Sequence, residues 1–329
     1  MKRYKTWCVI SLFLSTTAFG QKKAKPVYPE FSTSWVDGVK QSKTYHLRAS
    51  YLKEEPIFQS FDKYHFDTHL LPKGELSFRN EPTKKINTTV LSQLAQTAVD
   101  ELREGKKHLT HFKILKRREF SLKRKVGTII LKYKDYPFVL KLFIESPRSF
   151  ATPTDKNFKH GIMAKMTGGL SRYLSGFSRI KNLEYTKNFM ATNPDADVPV
   201  KLDFPRKWFW LPEKARWFEV SGKNFGTATP TTKLPEMYAI VADEIVGIKE
   251  SAKLNKYQKR IYALCQKMDY QIDPNMLNFK MERATNKLVI IDTECFRKVI
   301  GIKEPIYAVS HQRLRYQLVS KGIHDILFA

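Results

Sequence analysis

The chain has 329 residues, 42% of them hydrophobic and 13% aromatic, and carries a formal net charge of +26. That length and apolar content suffice for a substantial core, in one two-lobed domain or in two domains, and exclude a disordered basic tail. The charge favours anionic partners such as nucleotides, nucleic acid, phospholipid headgroups or acidic polysaccharide; a solvated lysine-rich surface accounts for it equally.

Residues 1–20 follow the order of a secretory signal peptide: Lys2, Arg3 and Lys5, then the apolar Val9-Ile10-Ser11-Leu12-Phe13-Leu14, then Ala18-Phe19-Gly20. The apolar stretch is too short to stop in a bilayer, so the reading is a secreted or periplasmic protein with no stable transmembrane segment after cleavage. Beyond the leader only Cys265 and Cys295 remain, as one disulfide or two thiols. The eight histidines are scattered and form no Cys/His grouping with zinc spacing.

Residues 21–105 read as an irregular extension with one helix. Prolines at 26, 29, 56, 72 and 82 break any period, and Tyr45, Phe58, Phe61, Tyr64 and Phe66 are expected to pin the segment to the main body. Asn87-Thr88-Thr89 is a glycosylation sequon, with meaning only in a eukaryotic secretory route. Thr88 or Thr89 is expected to cap a helix in which Leu91, Leu94, Ala95, Ala98, Val99 and Leu102 recur at helical spacing before Gly105.

From Phe112 the pattern changes to strands: 112–115, 126–131 and 138–144, an antiparallel meander that opens a sheet region over 106–241. Alternation in the third strand puts Val139, Lys141 and Phe143 on one face, where a lysine is costly unless its ammonium meets an anion; an edge lysine facing solvent is the plainer alternative. The basic run between the first two strands, residues 116–125, holds phosphates by charge, or is a solvated hairpin tip, or a patch for nucleic acid or membrane. A helix is expected over roughly 170–190, and Glu184 within it is a candidate partner for Lys141, with Glu145 as its rival. The aromatic and basic run at 204–218 reads as a buried hairpin with snorkelling lysines in preference to a base-stacking surface.

Residues 242–329 read as mostly helical. A strand over 237–242 leads into Asp243 and Glu244, and a helix opening at Asn255 runs towards Gln271-Ile272-Asp273-Pro274-Asn275-Met276-Leu277-Asn278. The apolar run Leu288-Val289-Ile290-Ile291 then ends in Asp292-Thr293-Glu294. An acid, an asparagine five residues on and a second acid closing a strand can hold a proton acceptor beside a magnesium ion, which needs few protein oxygens. A turn followed by a buried strand gives the same spelling.

This succession resembles the protein-kinase-like superfamily, and in motif style its choline and aminoglycoside phosphotransferases. The resemblance covers residues 110–295 or so and implies an α+β, two-lobed fold with a small antiparallel N-lobe sheet and a short helical C-lobe. It implies Asp273 as catalytic acid–base, Asn278 and Asp292 as magnesium ligands, Lys141 and Val139 at ATP, Glu184 as the lysine's partner and Ala242 at the hinge that receives adenine. Gln271 stands where the family has histidine, and the family's glycine-rich loop is missing. The expected function is a secreted phosphotransferase moving the ATP γ-phosphoryl to a hydroxyl. The alternative is an inactive relative, or a basic secreted protein that binds an anionic surface, polysaccharide or nucleic acid.

Overall fold

A computed structural model describes residues 30–36, 43–46, 61–123, 125–145, 175–193, 202–223, 231–248 and 257–297, with 313, 314, 316, 317 and 320 near the C-terminus. The leader, Phe58 and Asn255 lie outside the described residues, as does most of the chain after 297. The fold is α+β with antiparallel sheets and few helices. No helix among the described residues is long and apolar enough to cross a membrane.

The central element is a five-stranded antiparallel sheet built from β5 (Phe112–Ser121), β6 (Val126–Tyr133), β7 (Phe138–Ile144), β12 (Met237–Asp243) and β9 (Lys207–Trp210), in that order. The meander β5–β6–β7 is there, but β5 runs through the basic segment to Ser121. A bulge at Leu115 shifts the register, and Lys116 and Arg117 lie exposed on this edge strand, so the first part of the basic run is strand and not loop.

Strand alternation divides the sheet into two cores. Phe138, Leu140, Leu142 and Ile144 of β7 point towards α2 (Thr88–Arg103), whose Leu91, Ala95, Ala98, Val99 and Leu102 form an apolar stripe at helical spacing. Asn87, and neither threonine, caps α2: its side chain accepts from Thr89 N at 2.8 Å, the geometry an N-cap needs to satisfy a free helix donor. Gly105 follows at φ 79°, a left-handed position that suits glycine.

The opposite sheet face carries an aromatic core of Phe143, Phe209, Tyr238, Ile240 and Ala242. It is covered by Phe61 and by Phe66 of α1 (Lys63–Thr68), and by Phe177 and Ile180 of α3 (Ser175–Thr192). A four-stranded sheet completes the cover: β11 (Thr231–Pro235), β10 (Trp217–Lys223), β1 (Glu30–Trp35) and β2 (Lys43–His46). The stretch before 88 is therefore not irregular: it supplies β1, β2, α1 and the hairpin β3 (Glu75–Phe78) and β4 (Glu81–Asn87). Phe61 and Phe66 anchor it as expected, whereas Tyr64 is 81% exposed. Nor do residues 204–218 form a hairpin: β9 edges the central sheet and β10 joins the other one.

Gly176 sits where α3 crosses Tyr238; a Cβ there would run into the tyrosine hydroxyl. This close approach lets Phe177 stack on Tyr238 at 4.2 Å between ring centroids. Further along the same helix, Phe189 and Met190 pack on a third core. That core is built by α4 (Gln258–Lys267), by β13 (Phe279–Met281) and β14 (Leu288–Ile290), and beside β14 runs β8 (Leu202–Asp203) in parallel. Helix α3 thus spans two cores and delivers its polar residues at their junction.

Candidate functional site

Arg179, Asn182 and Thr186 on one face of α3 are buried, which a helix sustains only where their polar heads find partners. Arg179 donates from Nε to Asp292 Oδ1 at 2.9 Å and from Nη2 to Glu294 Oε1 at 2.8 Å, while its carbonyl accepts from Thr293 Oγ1 at 2.6 Å. Asn182 Nδ2 donates to the carbonyls of Gln271 at 2.7 Å and Thr293 at 3.0 Å. One helix face thereby ties together the two stretches singled out in the sequence. They also pair directly: Ile272 bridges Cys295, Phe296 N donates to Gln271 O at 3.2 Å, and Cys295 Sγ donates to Gln271 Oε1 at 3.1 Å. Gln271 is thus a structural acceptor, and Cys265 and Cys295 are both buried free thiols.

Two lysines come from the sheet. Lys141 on β7 donates to Asp292 Oδ2 at 2.8 Å, and Lys207 on β9 donates to Thr293 Oγ1 at 2.9 Å. Between their strands runs β12, where Ile240 is in register with Lys141 and Ala242 with both Val139 and Lys207. Val139, Lys141, Ala242 and Lys207 therefore share one sheet face.

The electrostatics of this junction are unequal. Burial opposes ionisation of Asp292, but the Arg179, Lys141 and Lys207 charges outweigh it and hold its carboxyl well below the usual carboxylate range. Burial, and then the Arg179 charge, push the Lys141 ammonium below its ordinary value against the pull of Asp292 and Glu294. Lys207 is 8% exposed and its hydrogen-bond partner is a neutral hydroxyl; burial pushes its ammonium down to about 7, with Asp292 opposing and Lys141 and Arg179 adding to the shift. Three basic groups face two carboxylates, so an added anion would be stabilised here.

Asp273 lies at the end of the bridged stretch, 6% exposed, and its Oδ1 accepts from Asn275 N at 3.0 Å in an Asx turn. Asn278 closes the following 3₁₀ turn, Met276–Asn278, and its Nδ2 donates to the Asp273 carbonyl at 3.3 Å, leaving the amide oxygen as its other polar atom. Ile291 N donates to Asn278 O at 2.8 Å, which sets Asn278 one residue from Asp292 across the β13–β14 hairpin.

Glu184 is not the partner of Lys141. Its carboxylate accepts from His65 Nε2 at 3.0 Å and lies 2.7 Å from His69 Nε2, on a different face of α3 from Arg179. Five residues turn a helix through about 500°, which carries Glu184 away from the Arg179 face. Its rival Glu145 is fully buried beside Tyr238 and Arg179, where burial pushes its carboxyl well above the ordinary value, and the carboxylate that Lys141 meets is that of Asp292. The expected hinge acids are also committed: Asp243 accepts from Arg206 N at 2.8 Å and Nη2 at 2.7 Å, and Glu244 pairs with Lys132 at 2.7 Å.

Family models, curated proteins and solved structures offer no match to this chain. The site must be read from its own chemistry. Two of its members, Arg179 and Lys207, went unrecognised in the sequence. Lys207 had a usable signal: in Lys207-Trp208-Phe209-Trp210 it alternates with bulky aromatics, the same pattern that marked Lys141.

Proposed function

We propose that the chain is a kinase-like phosphotransferase that takes magnesium ATP and a hydroxyl acceptor at the junction of α3, the central sheet and the β13–β14 hairpin. The observation that carries this reading is the contact of Lys141, from the third strand of the sheet, with Asp292, which closes a strand 151 residues later. Supporting it is the chain order in which lysine strand, helix, inner strand β12, helix α4, Asp–Asn turn and terminal aspartate follow one another.

The donor set fits the cofactor. Asp292 accepts from Lys141, Arg179 and Glu294 N, which uses three of a carboxylate's roughly four lone-pair sites and leaves one on Oδ2 for a cation. With the Asn278 amide oxygen this makes two protein ligands, as many as magnesium commonly takes alongside phosphate oxygens and water. Bound magnesium ATP would supply the phosphoryl group and its electrophilic charge. The chain's own contributions are charge and position: Lys141 and Lys207 neutralise phosphate oxygens, Val139 and Ala242 offer an apolar wall on the same sheet face, and Asp273 takes the acceptor's proton. The protein is proposed to act outside the cytoplasm, on the strength of its first twenty residues.

Calorimetric titration of magnesium ATP into the full chain tests the reading. Binding is expected, weakened tenfold or more by Lys207→Met; a wild-type protein that takes up no nucleotide would falsify it. A second reading, an inactive scaffold that holds an anionic macromolecule, draws on the burial of Asp273 and the charge of +26. It predicts heparin or nucleic-acid affinity that falls steeply with salt and survives Asp273→Asn, without phosphoryl transfer.

A further inference from the structure

The cluster of His65, His69 and Glu184 has a chemistry of its own. Two histidines four residues apart stack with ring centroids 4.1 Å apart, and the Glu184 carboxylate spans them, one oxygen to each Nε2. One ligand atom from each residue lies within 4.8 Å of the others. His69 decides what the cluster needs. Its Nδ1 lies 2.8 Å from the carbonyl oxygen of His65, which only accepts, and 3.1 Å from the Thr68 hydroxyl, which spends its own proton on the Tyr64 and His65 carbonyls, so both contacts are satisfied by the tautomer with its proton on Nδ1. In the neutral ring Nε2 is then a bare lone pair, 2.7 Å from another acceptor, Glu184 Oε1. Two acceptors at that distance repel unless a positive charge lies between them.

A proton on Nε2 is one such charge, and a metal ion is the other. Three features favour the metal. The Nδ1–H to carbonyl bond is the outer-shell arrangement that orients metal-binding histidines and raises the basicity of the free nitrogen. The rings are stacked close together, so neutral imidazoles suit the geometry better than charged ones. And the frame is fixed: His69 O accepts from Phe209 N at 2.8 Å, Leu71 N donates to Phe209 O at 2.7 Å, and Phe66 stacks on Phe209 at 4.5 Å, so the end of α1 is fastened to the edge of the central sheet.

We propose that His65, His69 and Glu184 form a divalent transition-metal site, with zinc as the ion that suits two imidazoles and one carboxylate. Magnesium and calcium prefer all-oxygen shells and are poorly served here. Nitrogen and oxygen ligands around tetrahedral zinc stand roughly 3.4 Å apart, from bond lengths near 2.0–2.2 Å, and the three ligand atoms, within 4.8 Å of one another, reach that spacing by small side-chain shifts on loading. The Glu184 side chain is 44% exposed and that of His69 29%, which leaves the fourth position to water or an anion. The ion would clasp α1 to α3, the helix whose other face holds Asp292.

The full chain, dialysed against zinc-free buffer after loading with zinc chloride at neutral pH, is expected to retain close to one zinc per chain by mass spectrometry and to melt several degrees higher than after EDTA treatment. His69→Ala and Glu184→Gln are expected to lose at least nine-tenths of that zinc. Should those variants fail to fold, wild type alone suffices: zinc is expected to protect His65 and His69 from diethylpyrocarbonate at least fivefold, with the exposed His108 unaffected. Wild type that retains under a tenth of an equivalent, or that is modified at His65 and His69 equally with and without zinc, overturns the proposal and leaves the proton as occupant.

Discussion

The two faces of α3 solve the problem of charge in opposite ways. On the buried face, Arg179 and Asn182 meet Asp292, Thr293, Glu294 and the Gln271 carbonyl, and every contact joins a donor to an acceptor. On the half-exposed face, Glu184 meets two histidines, one of which can donate only by taking on an extra proton. The first cluster carries its cations as side chains; the second is a set of ligands that recruits one. The difference follows from depth. A buried carboxylate must be neutralised by groups that fold with it, whereas one near solvent can take its partner from solution.

The sharpest way to break the comparison is Asp292→Asn. It keeps shape and removes the charge that Arg179 and Lys141 share, so Lys141 loses its carboxylate partner and Arg179 is left with Glu294 alone. A loss of about 3–5 kcal/mol is expected in urea unfolding, the range for removing one partner of a buried pair. A loss under about 1 kcal/mol would mean that water reaches this face freely and that the contrast of depth is wrong.

Lys207 gives the next largest effect and a sign that can be checked. Its ordinary value is 10.5, and burial pushes it down to about 7 in the folded chain. Between those two values the unfolded chain holds the extra proton, so stability rises with pH across that window and levels off below about 7, where both states are protonated. Lys207→Met is expected to remove this slope and to stabilise the protein at neutral pH, since a methionine needs no counter-ion. Magnesium ATP, if it binds as proposed, should bind more weakly above pH 7 in wild type, with no such trend from this position in the variant. A wild-type stability profile that is flat from pH 7 to 9 would show that Lys207 keeps its ordinary proton affinity.

What could be read from the sequence was what is local. Alternation in Val139-Leu140-Lys141-Leu142-Phe143 placed Lys141 on a face apart from α2, and the stripe of Leu91, Ala95, Ala98, Val99 and Leu102 gave that helix. What escaped depends on partners far along the chain. Strand β1 pairs with β10, so Glu30 finds Lys223 as its neighbour and nothing near it in sequence announces a strand. His65 and His69 have a ligand spacing, one inside α1 and one at its C-cap, but their third ligand lies 119 residues from His65, and without it they look scattered. The kinase-like resemblance pairs Glu184 with Lys141 by the order of elements alone; helical phase, which separates positions 179 and 184, decides otherwise.

The smallest effect belongs to Glu184→Gln in metal-free buffer, and it is the one that separates a waiting ligand from a structural ion pair. The carboxylate is 44% exposed; burial raises its carboxyl, but the hydrogen bond from His65 and the neighbouring His69 outweigh it and hold the group below the ordinary value. A group shifted downwards adds stability above its unfolded value, and that contribution fades as pH falls through the folded one. Exposure screens most of it, so the variant is expected to unfold within about 1 kcal/mol of wild type at pH 7 when no metal is present. Glutamine also relieves the clash of acceptors at His69, since its amide can turn an N–H towards Nε2. If the variant proved as damaging as Asp292→Asn, the second face of α3 would be a fixed ion pair built into the fold, and the contrast with the buried face would collapse.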